Sequence, residues 1–272
     1  MSASEERVGT ARPGALRVQS TRPGTGGSHR GGLYGSTAGA NIARACTAEL
    51  LGTFVLVLAG TATAVVTLAG APGTYDLPAV VIAFGLALTA IAAGFGHVSG
   101  AHLNPAVTVG LAVVGRFPLK AVPGYVVAQL AGAVLASLAV WAFYGDAARE
   151  VARLAATTPS PGVSTGRVLL VEAVITFVLV LVVMAVATDD RAPAAAAPLA
   201  AGAALAVGIF IAAPLTGGAV NPARAFGPAL VSGTWTGFWA YVAGPLVGGV
   251  LAALVYDRLL APAEAPSTDD GS

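Results

Sequence analysis

Asn104-Pro105-Ala106, and again Asn221-Pro222-Ala223, decide how this chain is read. Each triplet follows a glycine-bearing approach, Gly94-Phe95-Gly96-His97-Val98-Ser99-Gly100 before the first and Thr216-Gly217-Gly218 before the second. Asn is a strong helix N-cap, and Pro suits the first helical position because an N–H there has no partner to lose. Both triplets therefore predict helix starts. The apolar stretches they open, 104–113 and 221–231, would each be about 15 Å long at roughly 1.5 Å per residue. That is about half the hydrocarbon thickness of a bilayer. A helix start inside a membrane leaves its first N–H groups without internal partners, which is tolerated where the backbone lines a water-filled path.

The sequence around the triplets is strongly apolar. Hydrophobic residues make up 56% of the 272 and charged residues 10%, with mean hydropathy +0.80. Soluble domains carry roughly 25% charged residues. An all-α membrane protein follows. Six stretches are long enough to cross: Cys46–Leu68, Pro78–Phe95, Ala121–Tyr144, Val168–Ala187, Leu199–Leu215 and Gly237–Tyr256. The two half-length segments would enter from opposite faces, meet at the midplane and make a seventh, broken span. The fold class is therefore six transmembrane helices plus two re-entrant half-helices.

Net charge is +1, so nothing suggests a nucleic-acid partner. The single Cys46 excludes an internal disulfide and a cysteine metal cluster. His97 and His102 without further ligands make a poor metal site. No cofactor and no metal are expected. Residues 1–41 are polar and rich in Gly, Ser and Arg, with no apolar stretch close behind the charges, unlike a cleavable signal peptide. They are expected to form a disordered cytoplasmic tail, as is 262–272, flanking a channel-forming domain over 42–261.

Loop charges suggest an orientation. With both termini inside, Arg7, Arg12, Arg17, Arg22, Arg30, Arg44, Arg116, Lys120, Arg191 and Arg258 lie on the cytoplasmic side, against Arg149, Arg153 and Arg167 outside. The bias agrees with the positive-inside rule and keeps its sign when the five tail arginines are dropped. A multi-pass protein of the cell (plasma) membrane is expected, in a bacterium its inner membrane.

The chain also reads twice, over about 43–144 and about 166–260. Glu49, Thr53-Phe54-Val55-Leu56-Val57-Leu58 matches Glu172, Thr176-Phe177-Val178-Leu179-Val180-Leu181. The triplets match, as do Gly110 and Gly227 beyond them. Tyr125-Val126, Leu130, Gly132 and Val134-Leu135-Ala136 match Tyr241-Val242, Leu246, Gly248 and Val250-Leu251-Ala252. Each half holds three spans, an odd number, so the second half enters from the opposite face. Inverted repeats of this kind put their site at the midplane between the halves.

Two facing helix N-termini each contribute about half a unit of positive charge. They disfavour a crossing cation, while Asn104 and Asn221 can offer side-chain N–H groups to a passing oxygen. Arg224, directly after the second triplet, is costly at that depth and fits a pathway wall that excludes cations. Glu49 and Glu172 could couple protons. Their equivalent places in the repeat favour another task, accepting hydrogen bonds from loop N–H groups that no helix can satisfy. His97 is expected to support the same loops. Gly132, Gly248 and Gly249 read as close helix packing, and Gln129 as a bond across helices or to the loop.

With these residues in view, the sequence resembles the major intrinsic protein family, the aquaporins and aquaglyceroporins. The resemblance covers about Ala43–Leu260 and rests on Ser99-Gly100-Ala101-His102-Leu103-Asn104-Pro105-Ala106-Val107-Thr108 and Asn221-Pro222-Ala223-Arg224. It implies the aquaporin fold, a homotetramer with one pore per subunit, and a narrow filter beyond the Asn-Pro-Ala centre. Its four filter positions fall on Phe84, Ile209, Gly218 and Arg224. Water-selective members resemble a Phe-His-polar-Arg pattern. Here Ile209 and Gly218 would make the filter wider and less polar. Ala225 and Ala229 depart from the glycerol facilitators, which carry an acid and a base there. Ile-Gly-Arg resembles nodulin-26-like channels and their bacterial relatives, which pass water, glycerol, urea or uncharged metalloid acids. Phe84 is larger than the residue in the widest of them.

The expected function is a passive channel for water and small uncharged solutes, with the bilayer as its surroundings, and not an enzyme. The alternative is a coupled secondary transporter on the same inverted repeat. The scarcity of ionisable groups at midplane depth counts against it.

Overall fold

The computed structural model describes residues 33–36, 41–69, 76–189 and 191–261. Among these residues the secondary structure is helical, without strands. Eight helices follow in order: α1 Ile42–Leu68, α2 Leu77–Ser99, α3 Pro105–Val113, α4 Val122–Glu150, α5 Thr165–Ala187, α6 Ala197–Thr216, α7 Pro222–Ser232 and α8 Ala240–Val255. Six of them are long and apolar enough to cross a membrane: α1, α2, α4, α5, α6, and α8 together with its continuation to Leu260. The short pair, α3 and α7, start at the two Asn-Pro steps, with Asn104 and Asn221 as N-caps.

The helix ends differ from the sequence reading where glycine decides. The second span continues through Gly94 and Gly96 and stops at Gly100, whose φ of 88° ends the helix while its N–H bonds Gly96 O. The third span passes Tyr144, but Gly145 has a φ of 72°, so the last turn to Glu150 departs from the axis of the helix before it. A side chain at either φ would be strained; glycine is not.

The two repeats are built alike and interlocked. α1 packs along α4, and α5 along α8, while α2 and α6 meet between them. A Cβ on Gly132 would run into Leu50 O of α1, and one on Gly248 into Ala173 O of α5. These two glycines let the helix backbones approach, as small residues do in membrane interfaces. The half-helices then cross over between repeats. α3 lies on α8, where Gly110 faces Gly249 O at 2.9 Å from its would-be Cβ, and α7 lies on α4, with Gly227 against Ala133 O. Each half is thus completed by the short helix of the other.

Side chains on the outer surface are apolar and exposed, among them Leu51, Ile82, Leu86, Val127, Leu170, Val207 and Val247. A surface of this kind suits lipid, where no polar group is needed. Six crossings return the chain to the face it began on, called here the terminal face. There Arg191 and Tyr256 both bond Asp189, at 2.6 Å each, and hold its carboxyl well below the usual carboxylate range. Arg116 reaches Thr188 O at 3.2 Å. These bonds tie the α5–α6 connection to the end of α8.

Most of the expected tails, 1–41 and 262–272, lie outside the described residues. Leu33–Ser36, assigned to the first tail by composition, instead form a short turn against α2 and α5.

Candidate functional site

Two fully buried carboxylates fix the approaches to α3 and α7. Glu49 accepts bonds from Ser99 Oγ at 2.7 Å, His102 N at 2.9 Å, Leu103 N at 2.7 Å and Gln129 Nε2 at 2.7 Å. Glu172 accepts from Thr216 Oγ1 at 2.7 Å, Ala219 N at 3.0 Å and Val220 N at 2.7 Å. The backbone needs this help. Leu103 and Val220 have φ of 54° and 59°, a left-handed setting that costs a non-glycine residue roughly 1–2 kcal/mol. Tyr125 and Tyr241 brace the same turns, each donating its hydroxyl proton at 2.8 Å, to Ser99 O and Thr216 O.

The loops then hand their carbonyls to each other's caps. Asn104 Nδ2 donates to Val220 O at 3.1 Å, and Asn221 Nδ2 donates to Leu103 O at 2.7 Å. Each Asn Oδ1 accepts from its own helix, Ala106 N at 2.8 Å in one case and Ala223 N at 2.9 Å in the other. A carboxylate, a strained loop residue and the opposite cap are thereby linked in series, twice. The arrangement brings the N-terminal ends of α3 and α7 together. An amide NH2 carries two protons, so one on each Asn remains for another acceptor.

A cavity runs beside these two tips. Asn104, Asn221, Val107, Arg224, Phe84 and Ile209 all line it, with a volume of about 30 Å³. It opens at Phe84, Ile209 and Arg224 into a wider space of about 370 Å³ on the face opposite the termini. On the terminal face lies a larger vestibule of about 750 Å³. Neither Glu49 nor Glu172 lines any of these spaces, because both are turned into the loops. The acids that a proton-coupled carrier would expose to its pathway are committed to holding backbone.

Where the two spaces meet, Arg224 lies over the Phe84 ring, 5.2 Å from its centroid. Arg224 Nη1 donates to Ala155 O at 3.0 Å, while its buried Nε has no partner among the described residues. Ala155 ends a run of left-handed residues, Arg153, Leu154 and Ala155, with φ between 49° and 56°. That run turns a connection between spans down onto the arginine. Phe84 itself fits because Gly60 has no side chain; a Cβ there would overlap its ring.

Three of the four expected filter positions, Phe84, Ile209 and Arg224, line both the cavity and the wider space beyond it. Gly218 is not among the residues that line these two spaces. Its φ is 62°, and a Cβ would meet Ile209 Cα at 3.2 Å. Backbone conformation and the contact with α6 both favour glycine here.

His97 needs a correction. It does not join the loop network. Because α2 runs on to Ser99, His97 is carried to an exposed place lining the terminal-face vestibule. The loop histidine is His102, whose Nδ1 lies 3.1 Å from Thr108 Oγ1 and whose ring packs against Phe117 and Tyr125. Gln129 bonds Thr108 Oγ1 at 3.0 Å as well as Glu49. Among the lining residues that the sequence reading did not single out, two lie outside every expected span. Leu33 and Tyr34 close the cavity at its terminal-face end. Their signal was faint: Tyr34 is the lone aromatic among residues 1–41. Burial pushes its phenol up to about 12, so it is neutral at neutral pH.

Six crossing helices, with a cavity along two opposed half-helices and a vestibule at each face, have the architecture of a transmembrane channel. Comparison with known proteins agrees. The profile "MIP: Major intrinsic protein" matches residues 36–256. The chain is 44% identical over 212 residues to Aquaporin NIP1-3 of Oryza sativa subsp. japonica, covering 78% of this chain and 72% of that one. It is 42% identical over 239 residues to a protein named "Probable aquaporin AqpM" from Archaeoglobus fulgidus, covering 80% and 97%. Among solved structures it resembles the aquaglyceroporin from Plasmodium falciparum, with TM-score 0.71 and 29% identity over 80% of this chain and 97% of that one. The chain belongs to the major intrinsic protein family. It is a membrane channel of the aquaporin and aquaglyceroporin type, not an enzyme.

Proposed function

We propose that this channel passes water and small uncharged solutes, of the size of glycerol, urea or neutral metalloid acids, and excludes protons and ions. The observation that carries the reading is one cavity lined by Asn104, Asn221 and Arg224 together. A solute oxygen accepts in turn from Arg224 Nε and from the spare amide protons of the two asparagines. A cation meets the Arg224 charge first and the two helix N-termini next, in a space too narrow for its hydration shell. Proton hopping fails for the same reason, since the donors orient water oxygens toward the tips.

Phe84 and Ile209 give the constriction two apolar sides and Arg224 one polar side. Carbon-bearing solutes can then replace lost hydration with contact. The chain works as a homotetramer in the cell (plasma) membrane, with the terminal face in the cytoplasm. Arg44, Arg116, Lys120, Arg191 and Arg258 lie on that face and Arg149, Arg153 and Arg167 on the other, in keeping with positive-inside insertion.

The test is stopped-flow light scattering on proteoliposomes challenged in turn with sucrose, glycerol and urea. A passive channel gives flux above empty vesicles that rises in proportion to the gradient and ignores an imposed pH difference. Saturation at low solute, or dependence on the pH difference, would instead mark a coupled carrier.

A further inference from the structure

The inverted repeat gives each wall residue at one end of the cavity a counterpart at the other. Asn104 pairs with Asn221, so Val107 stands where Arg224 stands, and Ala101 where Gly218 stands. Counting back along α2 and α6 in the same register, Ala92 answers Ile209 and Ala201 answers Phe84. The second constriction is therefore lined by alanines and a valine. By its own helices alone, the terminal-face mouth would be far wider than the opposite one.

It is not left wide. Leu33 is 1% exposed and lines the same cavity as Asn104, Asn221 and Arg224. Tyr34 lines both that cavity and the terminal-face vestibule, standing between them. The Tyr34 ring lies against Gly96, 3.0 Å from where a Cβ would be, and Ser36 Oγ against Gly100 at 3.1 Å. Two glycines of α2 and its cap thus leave a seat for the segment. Among the described residues the turn's hydrogen bond is internal, Ser36 N to Leu33 O at 3.0 Å. Among the described residues, withdrawing the segment breaks no buried polar bond to the channel. Gly35 within the segment supplies backbone freedom for the movement.

We propose that Leu33–Ser36 is a built-in plug of the terminal-face mouth, which must leave its seat between α2 and α5 before solute passes at full rate. The proposal rests on the channel reading above. Flux then scales with the fraction of molecules whose segment is out, and anything that binds the withdrawn segment opens the channel by mass action.

The test uses the full chain in proteoliposomes. Leu33→Gly/Tyr34→Gly should raise water permeability roughly fivefold over the parent if the seated form predominates. A second pair locks the segment. Tyr34 Cβ is 3.3 Å from the Cβ position at residue 96, close to the span of a disulfide. Tyr34→Cys/Gly96→Cys, with Cys46→Ala, should cross-link on oxidation and conduct slowly, then recover on dithiothreitol. Failure to cross-link overturns the seat. Cross-linking with equal flux before and after reduction overturns the plug. If parent and every variant match empty vesicles, the channel reading itself falls; if parent and variants all conduct equally, only the plug does.

Discussion

The approach to α3 and the approach to α7 bend the same way, yet they are not the same device. Both carry a left-handed glycine, a strained residue before the asparagine, a buried glutamate and a tyrosine brace. Ser99 and Thr216 each give their carboxylate one hydroxyl donor, but around Glu49 Gln129 adds a further side-chain donor, and Thr108 and His102 extend the network. Around Glu172 the counterpart of Gln129 is Pro245, which donates nothing, and the Arg224 charge interacts with the carboxylate instead. The midplane crossing is kept symmetric while the two ends diverge. One end carries a charged residue over an aromatic ring, the other small residues with the Leu33–Ser36 turn seated among them. Duplication gave a scaffold with two equivalent mouths; selectivity needs only one of them to be tight and polar.

The comparison can be broken most severely at the carboxylates. Glu49→Gln turns an amide NH2 toward donors and should cost about 2–4 kcal/mol. Little protein should then elute as a single species in detergent, with flux near that of empty vesicles. Glu172→Gln should do less, because it faces three donors rather than four. Equal damage would mean that the extra donors around Glu49 are idle.

Arg224→Val makes the second half copy the first, where Val107 holds that place. Glycerol flux should rise, and proton leak, read by a trapped pH dye, should grow roughly tenfold as the fixed charge is lost. An unchanged leak would assign exclusion to the helix tips alone. A smaller effect is expected from Gly60→Val, which drives Phe84 from its seat into the cavity. Overpacking of this kind costs about 1–3 kcal/mol, and water flux should drop with the fold retained. Gly218→Ala should be mildest. Its counterpart Ala101 already tolerates a φ of 43°, so strain plus the Ile209 contact should cost about 1 kcal/mol and lower Tm by a few degrees. A drop in flux without a drop in Tm would put position 218 in the wall after all.

Much of this molecule was legible in the sequence because the membrane leaves few options. Long apolar runs give spans, Asn-Pro in an apolar run gives a helix start, and an odd-span repeat gives inversion. Arg224 was reached through the cost of a charge at that depth, Phe84 and Ile209 through family resemblance, and Glu49 and Glu172 through the need to satisfy loop N–H groups. What stayed hidden depends on contacts without a local pattern. Ala155 accepts from Arg224 through a backbone carbonyl, which any residue type can supply. His97 and His102 are both polar and near the triplet, and only the true end of α2 tells which one faces the loop. Leu33 and Tyr34 sit in a stretch whose composition reads as tail, because a few apolar residues do not alter an average.

The most direct test of the central claim reads water and proton movement on the same vesicles. Proteoliposomes of the full chain, and of Leu33→Gly/Tyr34→Gly, are shrunk osmotically while a trapped dye follows an imposed pH gradient. The account predicts water permeability well above empty liposomes, highest in the double variant, with proton entry no faster than through lipid alone. Proton entry that rises in step with water, in either protein, would contradict a cavity guarded by Arg224 and two opposed helix ends.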